Sequence, residues 1–263
     1  GGLSLGFETT GFQVALAVDH NEAATDTYRL NHPEVPHERV LTTDIEEAVS
    51  SDAFSKIAAS GDVDIVVGGP PCQALSIAGY RSRRADDDSY SVIDDHRTTL
   101  YEQYIAAIQR LDPEFIVMEN VMGIVNRLEE TDHRIIEDVL AELDDAGYHA
   151  DYRELDCSEY GIPQKRDRVI VIGRRKADSA VPEADVAGAF NRLDDCQTDD
   201  PPNLRDALSG LVQIRRGSGG LVTVGRTSGR RSDFVTEHEL GSDTSVVFNH
   251  QARRHPKPKD REL

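Results

Sequence analysis

Between Gln13 and about Gly173 the chain alternates short apolar runs with amphipathic stretches, and this alternation constrains its fold most. Val14–Val18, Asp64–Val67, Phe115–Met118 and Arg168–Ile172 read as strands. Between them, helices are predicted from about Asn21 to Leu30, over Thr98–Leu111 and over His133–Ala146. Leu100, Tyr104, Ile105, Ile108 and Leu111 recur at helical spacing, and Pro113 forces that helix to end. Ile135, Ile136, Val139, Leu140 and Leu143 share a second face, which Gly147 terminates. Strands alternating with helices imply a mainly parallel sheet covered on both faces, an α/β fold. Ligands of such sheets bind beyond the carboxyl ends of the strands, so the chemistry is expected after Val18, Val67 and Met118.

After about Lys176 the pattern weakens. Gly and Ser accumulate at 216–220 and 226–229, and Pro201-Pro202 interrupts the chain. A first domain over 1–176, a linker over 177–200 and a looser segment over 201–263 are expected. Charge divides the same way: residues 1–200 hold 18 Lys and Arg against 41 Asp and Glu, and residues 201–263 hold 11 against 7. A change of sign suggests that the C-terminal part meets a polyanion. The overall charge of −19 opposes that, but 24 of the 29 cations are Arg and 29 of the 48 acids are Asp. A Lys-poor, Asp-rich surface fits work in concentrated salt, so the acidity is read as a halophilic trait. No apolar run is long enough to span a bilayer, and no leader is evident; a cytoplasmic protein with no membrane partner is expected. Cys72, Cys157 and Cys196 lack metal-site spacing, and neither a disulfide framework nor a metal is expected.

Three segments carry chemistry. In Gly68-Gly69-Pro70-Pro71-Cys72-Gln73, two glycines let backbone turn tightly and two prolines stiffen the approach to a cysteine. A thiol at the mouth of a parallel sheet is a candidate nucleophile, whereas a buried one is structural; this loop alone does not decide. Glu119-Asn120 follows Phe115–Met118 at the same sheet edge, either as the acid of a catalytic pair or as a capping turn. Arg166 and Arg168, in Gln164-Lys165-Arg166-Asp167-Arg168, would point one way in extended chain, to bind a carbonyl or carboxylate or to meet solvent.

Together, in this order, the segments resemble the cytosine-C5 DNA methyltransferases. Gly1-Gly2-Leu3-Ser4-Leu5-Gly6-Phe7-Glu8 is similar to part of that family's glycine-rich cofactor motif, and Asp95-His96-Arg97-Thr98-Thr99-Leu100 to another of its segments. Asn249-His250-Gln251-Ala252-Arg253-Arg254-His255 resembles a stretch of its target-recognition region.

The resemblance implies a Rossmann-like fold dependent on S-adenosyl-L-methionine, with 201–263 beginning the recognition region. Gly1, Gly2 and Gly6 would form the cofactor turn, Asp19 would bind the ribose, His20 would lie by the adenine, Asp44 would reach its amino group, and Ile45 and Leu100 would line the pocket. Cys72 would attack C6 of a flipped-out cytosine, Glu119 would bind N3 and the exocyclic amine, and Arg168 would hold O2 with support from Arg166. Asn120 and Pro71 would fix the loop, and Gln73, Ser76, Arg81, Arg83 and Arg84 would meet DNA. The implied partner of this monomer is double-stranded DNA, in a restriction–modification or solitary methylation system with a possible cognate endonuclease. A tRNA methyltransferase and a non-catalytic DNA-binding remnant are the alternatives. The family's first strand and C-terminal return segment find no match in the sequence, so a fragment with little activity of its own is expected.

Overall fold

The computed structural model describes residues 1–70, 100–127, 133–176, 184–209, 211, 222–226, 232–238 and 244–248. They divide into two compact units, Gly1–Leu155 with Asp167–Cys196, and Asp156–Arg166 with Gln197–Leu263.

The first unit opens with α1 (Gly2–Glu8), β1 (Ala17–Asp19), α2 (Glu22–Asn31), β2 (Val40–Thr42), α3 (Ile45–Ser50), α4 (Asp52–Ser60) and β3 (Ile65–Gly68). Local chemistry sets several of these ends. Asn21 caps α2 by accepting the Ala24 N–H, and Ser51 caps α4 through the Phe54 N–H. The unit continues with α5 (Leu100–Leu111), β4 (Phe115–Val121), α6 (Ile135–Asp145), β5 (Tyr148–Asp156), β6 (Asp167–Arg175) and α7 (Ala184–Asp194). Helix α6 gives way to Gly147, whose φ of +90° suits the stop read from sequence.

The strands form one sheet ordered β3-β4-β6-β5 and a pair β1-β2. Pairing is parallel in β1–β2 and β3–β4, but β6 runs antiparallel to β4, with Met118 opposite Val171 and Val121 opposite Arg168. The mainly parallel sheet expected from the strand series thus includes an antiparallel member, β6. The link from β5 to its neighbour β6 is too short for the helical crossover that parallel neighbours require.

Strand β4 is the spine of the core. Ile116, Met118 and Asn120 are buried on one face, while the alternate residues are half-buried. Tyr101, Tyr104, Ile105 and Ile108 of α5, Ile136, Val139 and Leu143 of α6, and Val169 and Val171 of β6 share its hydrophobic cluster. Each buried aliphatic side chain of this kind contributes about 1.5–3 kcal/mol.

In the second unit, a 3₁₀ turn at Cys157–Tyr160 is capped by Asp156, which accepts from the Ser158 N–H and hydroxyl. Hydrogen bonding to its charged form, from the Ser158 backbone above all, holds the Asp156 carboxyl below its ordinary range. Helix α8 (Leu204–Leu208) starts in a capping box of Asn203 and Asp206, and the Ser209 and Ser232 hydroxyls join it to the start of α9 (Asp233–Glu237). Strands β7 (Val222–Arg226) and β8 (Thr244–Phe248) pair antiparallel. Among the described residues, no helix is long and apolar enough to cross a membrane.

Candidate active site

Parallel pairing of β3 with β4 brings their carboxyl ends side by side, with Gly68 opposite Met118. Glu119 and Asn120 do not lie in a loop beyond a strand ending at Met118. Pairing with β6 continues past that point, Glu119 opposite Ile170 and Asn120 opposite Val169, so both are strand residues. Alternation then sends them to opposite faces. Asn120, only 3% exposed, joins the buried face of Ile116 and Met118.

Each side chain is held. Asn120 Nδ2 donates to the Pro70 carbonyl at 3.3 Å, and its Oδ1 accepts the Val121 N–H at 2.8 Å. Glu119 Oε1 accepts from Arg168 Nε at 2.6 Å. Because Val121 faces Arg168 and Glu119 faces Ile170, the ion pair is a diagonal cross-strand pair on one sheet face. A Cβ on Gly69 would sit 3.2 Å from Glu119 Oε2, so the missing side chain leaves that second oxygen room. Gly69, Pro70, Glu119, Asn120 and Arg168 are thereby gathered at one sheet end. Such an arrangement presents a carboxylate whose orientation is fixed by a guanidinium.

Arg166 precedes β6, which begins at Asp167. It is exposed, and its carbonyl accepts the Cys157 N–H. Pro71, Cys72, Gln73, Ser76, Arg81, Arg83 and Arg84 lie outside the described residues, as do 95–99 and 249–255 of the other motifs.

Of the residues expected at the cofactor, Asp19 and His20 are exposed at the end of β1, and Asp44 and Ile45 follow the neighbouring end of β2. Thr43 N–H donates to the Asp19 carbonyl, which joins these two ends. Asp19 Oδ1 accepts the Asn21 N–H, while Asp44, at the N-cap position of α3, makes no side-chain cap bond. Gly1 N-caps α1, and Gly2 and Gly6 lie within it. A Cβ on Gly1 would approach His32 Nε2 to 2.9 Å, whereas Gly2 and Gly6 have open space there. Leu100 is the half-buried first residue of α5.

Two features were not read from the sequence. Buried His32 stacks on Tyr28 and bonds Glu8 through Nδ1 at 2.7 Å, tying α1 to α2. Glu8, His32 and Glu34 also bring three potential metal-ligand atoms within 4.8 Å of one another. The second feature is Tyr104, whose hydroxyl lies between β3 and β4; a tyrosine in an apolar helical stripe reads only as core.

The fold is that of the Rossmann-like methyltransferases. A crystal structure described as a DNA modification methyltransferase encoded within a prophage (E. coli) matches with a TM-score of 0.62 at 24% identity, over 89% of this chain and 60% of that one. The chain belongs to the C-5 cytosine-specific DNA methylase family, whose model matches residues 1–217. Type II methyltransferase M.DdeI of Desulfomicrobium norvegicum is 31% identical over 256 residues, 97% of this chain and 56% of that protein. Type II methyltransferase M.AgeI of Thalassovita gelatinovora is 37% identical over 175 residues, 66% of this chain and 37% of that protein. The chain thus spans about half or less of the length of these relatives.

Proposed function

We propose that the protein containing this chain transfers a methyl group from S-adenosyl-L-methionine to C5 of cytosine in double-stranded DNA. The observation that carries this reading is the Glu119 carboxylate, fixed by Arg168 beside the strand end that leads through Pro70 towards Cys72. Carboxylates at the ends of β1 and β2, Asp19 and Asp44, suit ribose hydroxyls and an adenine amine, so the donor set fits the cofactor. When bound, that cofactor supplies an electrophilic methyl group on a sulfonium.

C5 of cytosine is a poor nucleophile until C6 is attacked. The Cys72 thiolate forms a bond to C6, and its electron pair makes the ring an enamine nucleophilic at C5. Glu119 holds a proton at N3 and stabilises the charge that shifts there. Arg168 keeps the carboxylate aimed and offers its remaining N–H groups to O2, with Arg166 in support. Asn120, through Pro70, steadies the backbone that enters Pro71-Cys72. After methylation, water accepts the C5 proton, the C5–H electron pair forms the C5=C6 double bond, and the S–C6 bond breaks, which restores the Cys72 thiolate. Because the base must leave the duplex stack first, Gln73, Ser76, Arg81, Arg83 and Arg84 are proposed to contact the opened DNA. The cationic excess of 201–263 supports a polyanionic partner, met as a monomer. Likeness to Type II methyltransferases favours a restriction–modification setting with a cognate endonuclease.

The test is methyl transfer by the whole protein to duplex DNA and to tRNA. Transfer to DNA is expected, with a covalent adduct on 5-fluorocytosine DNA that Cys72→Ser abolishes. Transfer to tRNA alone would select the RNA substrate instead, and DNA binding without transfer or adduct would mark a non-catalytic remnant.

A further inference from the structure

Tyr104 faces the sheet from α5 within the cluster of Ile105, Ile108, Ile116 and Met118. Ring packing there needs no hydroxyl, and a buried hydroxyl without a partner is costly. Here it lies 3.1 Å from the Val66 carbonyl and 3.0 Å from the Val117 carbonyl, so one proton is shared between β3 and β4. Burial pushes this hydroxyl far above the ordinary tyrosine range, so it stays a donor well into alkaline pH.

The location is specific. Val66 stands three residues before Gly69, and Val117 two before Glu119, so the clasp lies just below the point where the two strand ends converge. Gly68 confirms how tightly the ring is seated, since a Cβ there would come within 2.8 Å of Tyr104 Cε2.

Resting on the methyl-transfer reading, we propose that Tyr104 is a positioning residue for that reaction. By joining Val66 to Val117 it fixes the spacing of β3 and β4, and with it the Glu119 carboxylate relative to the Gly69-Pro70 backbone that leads to Cys72. It touches neither substrate nor cofactor.

Tyr148 provides an internal control. It too is a buried tyrosine on a backbone carbonyl, that of Pro113 at 2.8 Å, but at the opposite end of β4. In the full-length protein, Tyr104→Phe is expected to lower kcat by about tenfold while KM for DNA and for S-adenosylmethionine stays within about twofold. Tyr148→Phe is expected to lower the melting temperature comparably and leave kcat unchanged. A Tyr104→Phe variant with wild-type kcat, or two variants that differ from wild type in stability alone, overturns the proposal. Should Tyr104→Phe fail to fold, Gly68→Ala, which pushes the ring aside, is read in its place: the same fall in kcat supports the clasp and its absence refutes it. A wild-type protein that methylates no nucleic acid refutes the methyl-transfer reading and this proposal together, whereas an active wild type with an unaffected Tyr104→Phe refutes the proposal alone.

Discussion

Arg168 Nε lies 2.6 Å from Glu119 Oε1 across one diagonal of the β4–β6 ladder, so the carboxylate's direction is set by strand register. Both side chains are mostly covered, at 19% and 31% exposure, and the guanidinium geometry is directional where an ammonium would be only a point charge. Arg168→Lys is expected to keep the fold and lower methyl transfer by about tenfold or more, because the Nε donor is lost. Glu119→Gln removes the charge and the proton site together, and a fall of at least about a hundredfold is expected. Single-turnover kinetics check both. Equal activity of Arg168→Lys and wild type would show that this ion pair does not orient the carboxylate.

Two glycines separate the site from the scaffold. At Gly69 a new Cβ would meet Glu119 Oε2 at 3.2 Å, whereas at Gly173 it would meet Ile116 Cγ1 at 2.8 Å and Ala150 Cβ at 3.1 Å inside the core. Gly173→Ala is therefore expected to cost about 1–3 kcal/mol of stability. Gly69→Ala has only the end of a side chain to displace, so it is expected to lower kcat with little change in the urea midpoint. Urea unfolding and steady-state kinetics on the two variants check this, and the reverse pattern would refute it.

How much of this was legible depends on what each signal needs. The strand cores Asp64–Val67 and Phe115–Met118 and the buried faces of α5 and α6 are local patterns, and they fold where they were read. Strand β5 escaped because Tyr148-His149-Ala150-Asp151-Tyr152-Arg153-Glu154-Leu155-Asp156 has too few apolar residues to look like an inner strand. Its neighbour β6 and the Arg153 guanidinium over the Phe190 ring explain how so polar a strand is accommodated. Glu119 and Asn120 read as a loop because charge normally marks a strand's end. Only partnership with β6, nearly fifty residues away, keeps them extended. Glu119, Asn120 and Arg168 were recognisable singly, but the diagonal register that joins Glu119 to Arg168, and the Asn120 bond to Pro70, are tertiary facts.

Charge gives a separate expectation. With 48 acidic residues against 29 basic ones, self-repulsion opposes the compact state. The screening length falls from about 10 Å at 0.1 M salt to about 3 Å at 1 M. Thermal unfolding in KCl should therefore shift upward between about 0.1 M and 2 M, by roughly 2–4 °C for each kcal/mol of relieved repulsion. Circular dichroism melts across that range check the shift. A flat or falling curve would overturn the reading of the acidity as adaptation to salt.

The buried Tyr148 hydroxyl carries a pH signature with a definite sign. Burial, aided by the Asp112 carboxylate and opposed by Arg175, pushes it from 10.0 up to about 12, and it donates to the Pro113 carbonyl only while protonated. A phenol that holds its proton more tightly when folded contributes stability that is complete below about pH 10 and is lost as pH climbs towards 12. Tyr148→Phe lacks both the bond and the titration, while every other ionisable group is common to the two proteins. The stability advantage of wild type over Tyr148→Phe is therefore expected to be constant through neutral pH and to shrink progressively above about pH 10. Urea unfolding of both proteins at matched pH values measures that difference. An advantage that stayed level through the alkaline range would mean that the folded protein does not favour the protonated hydroxyl.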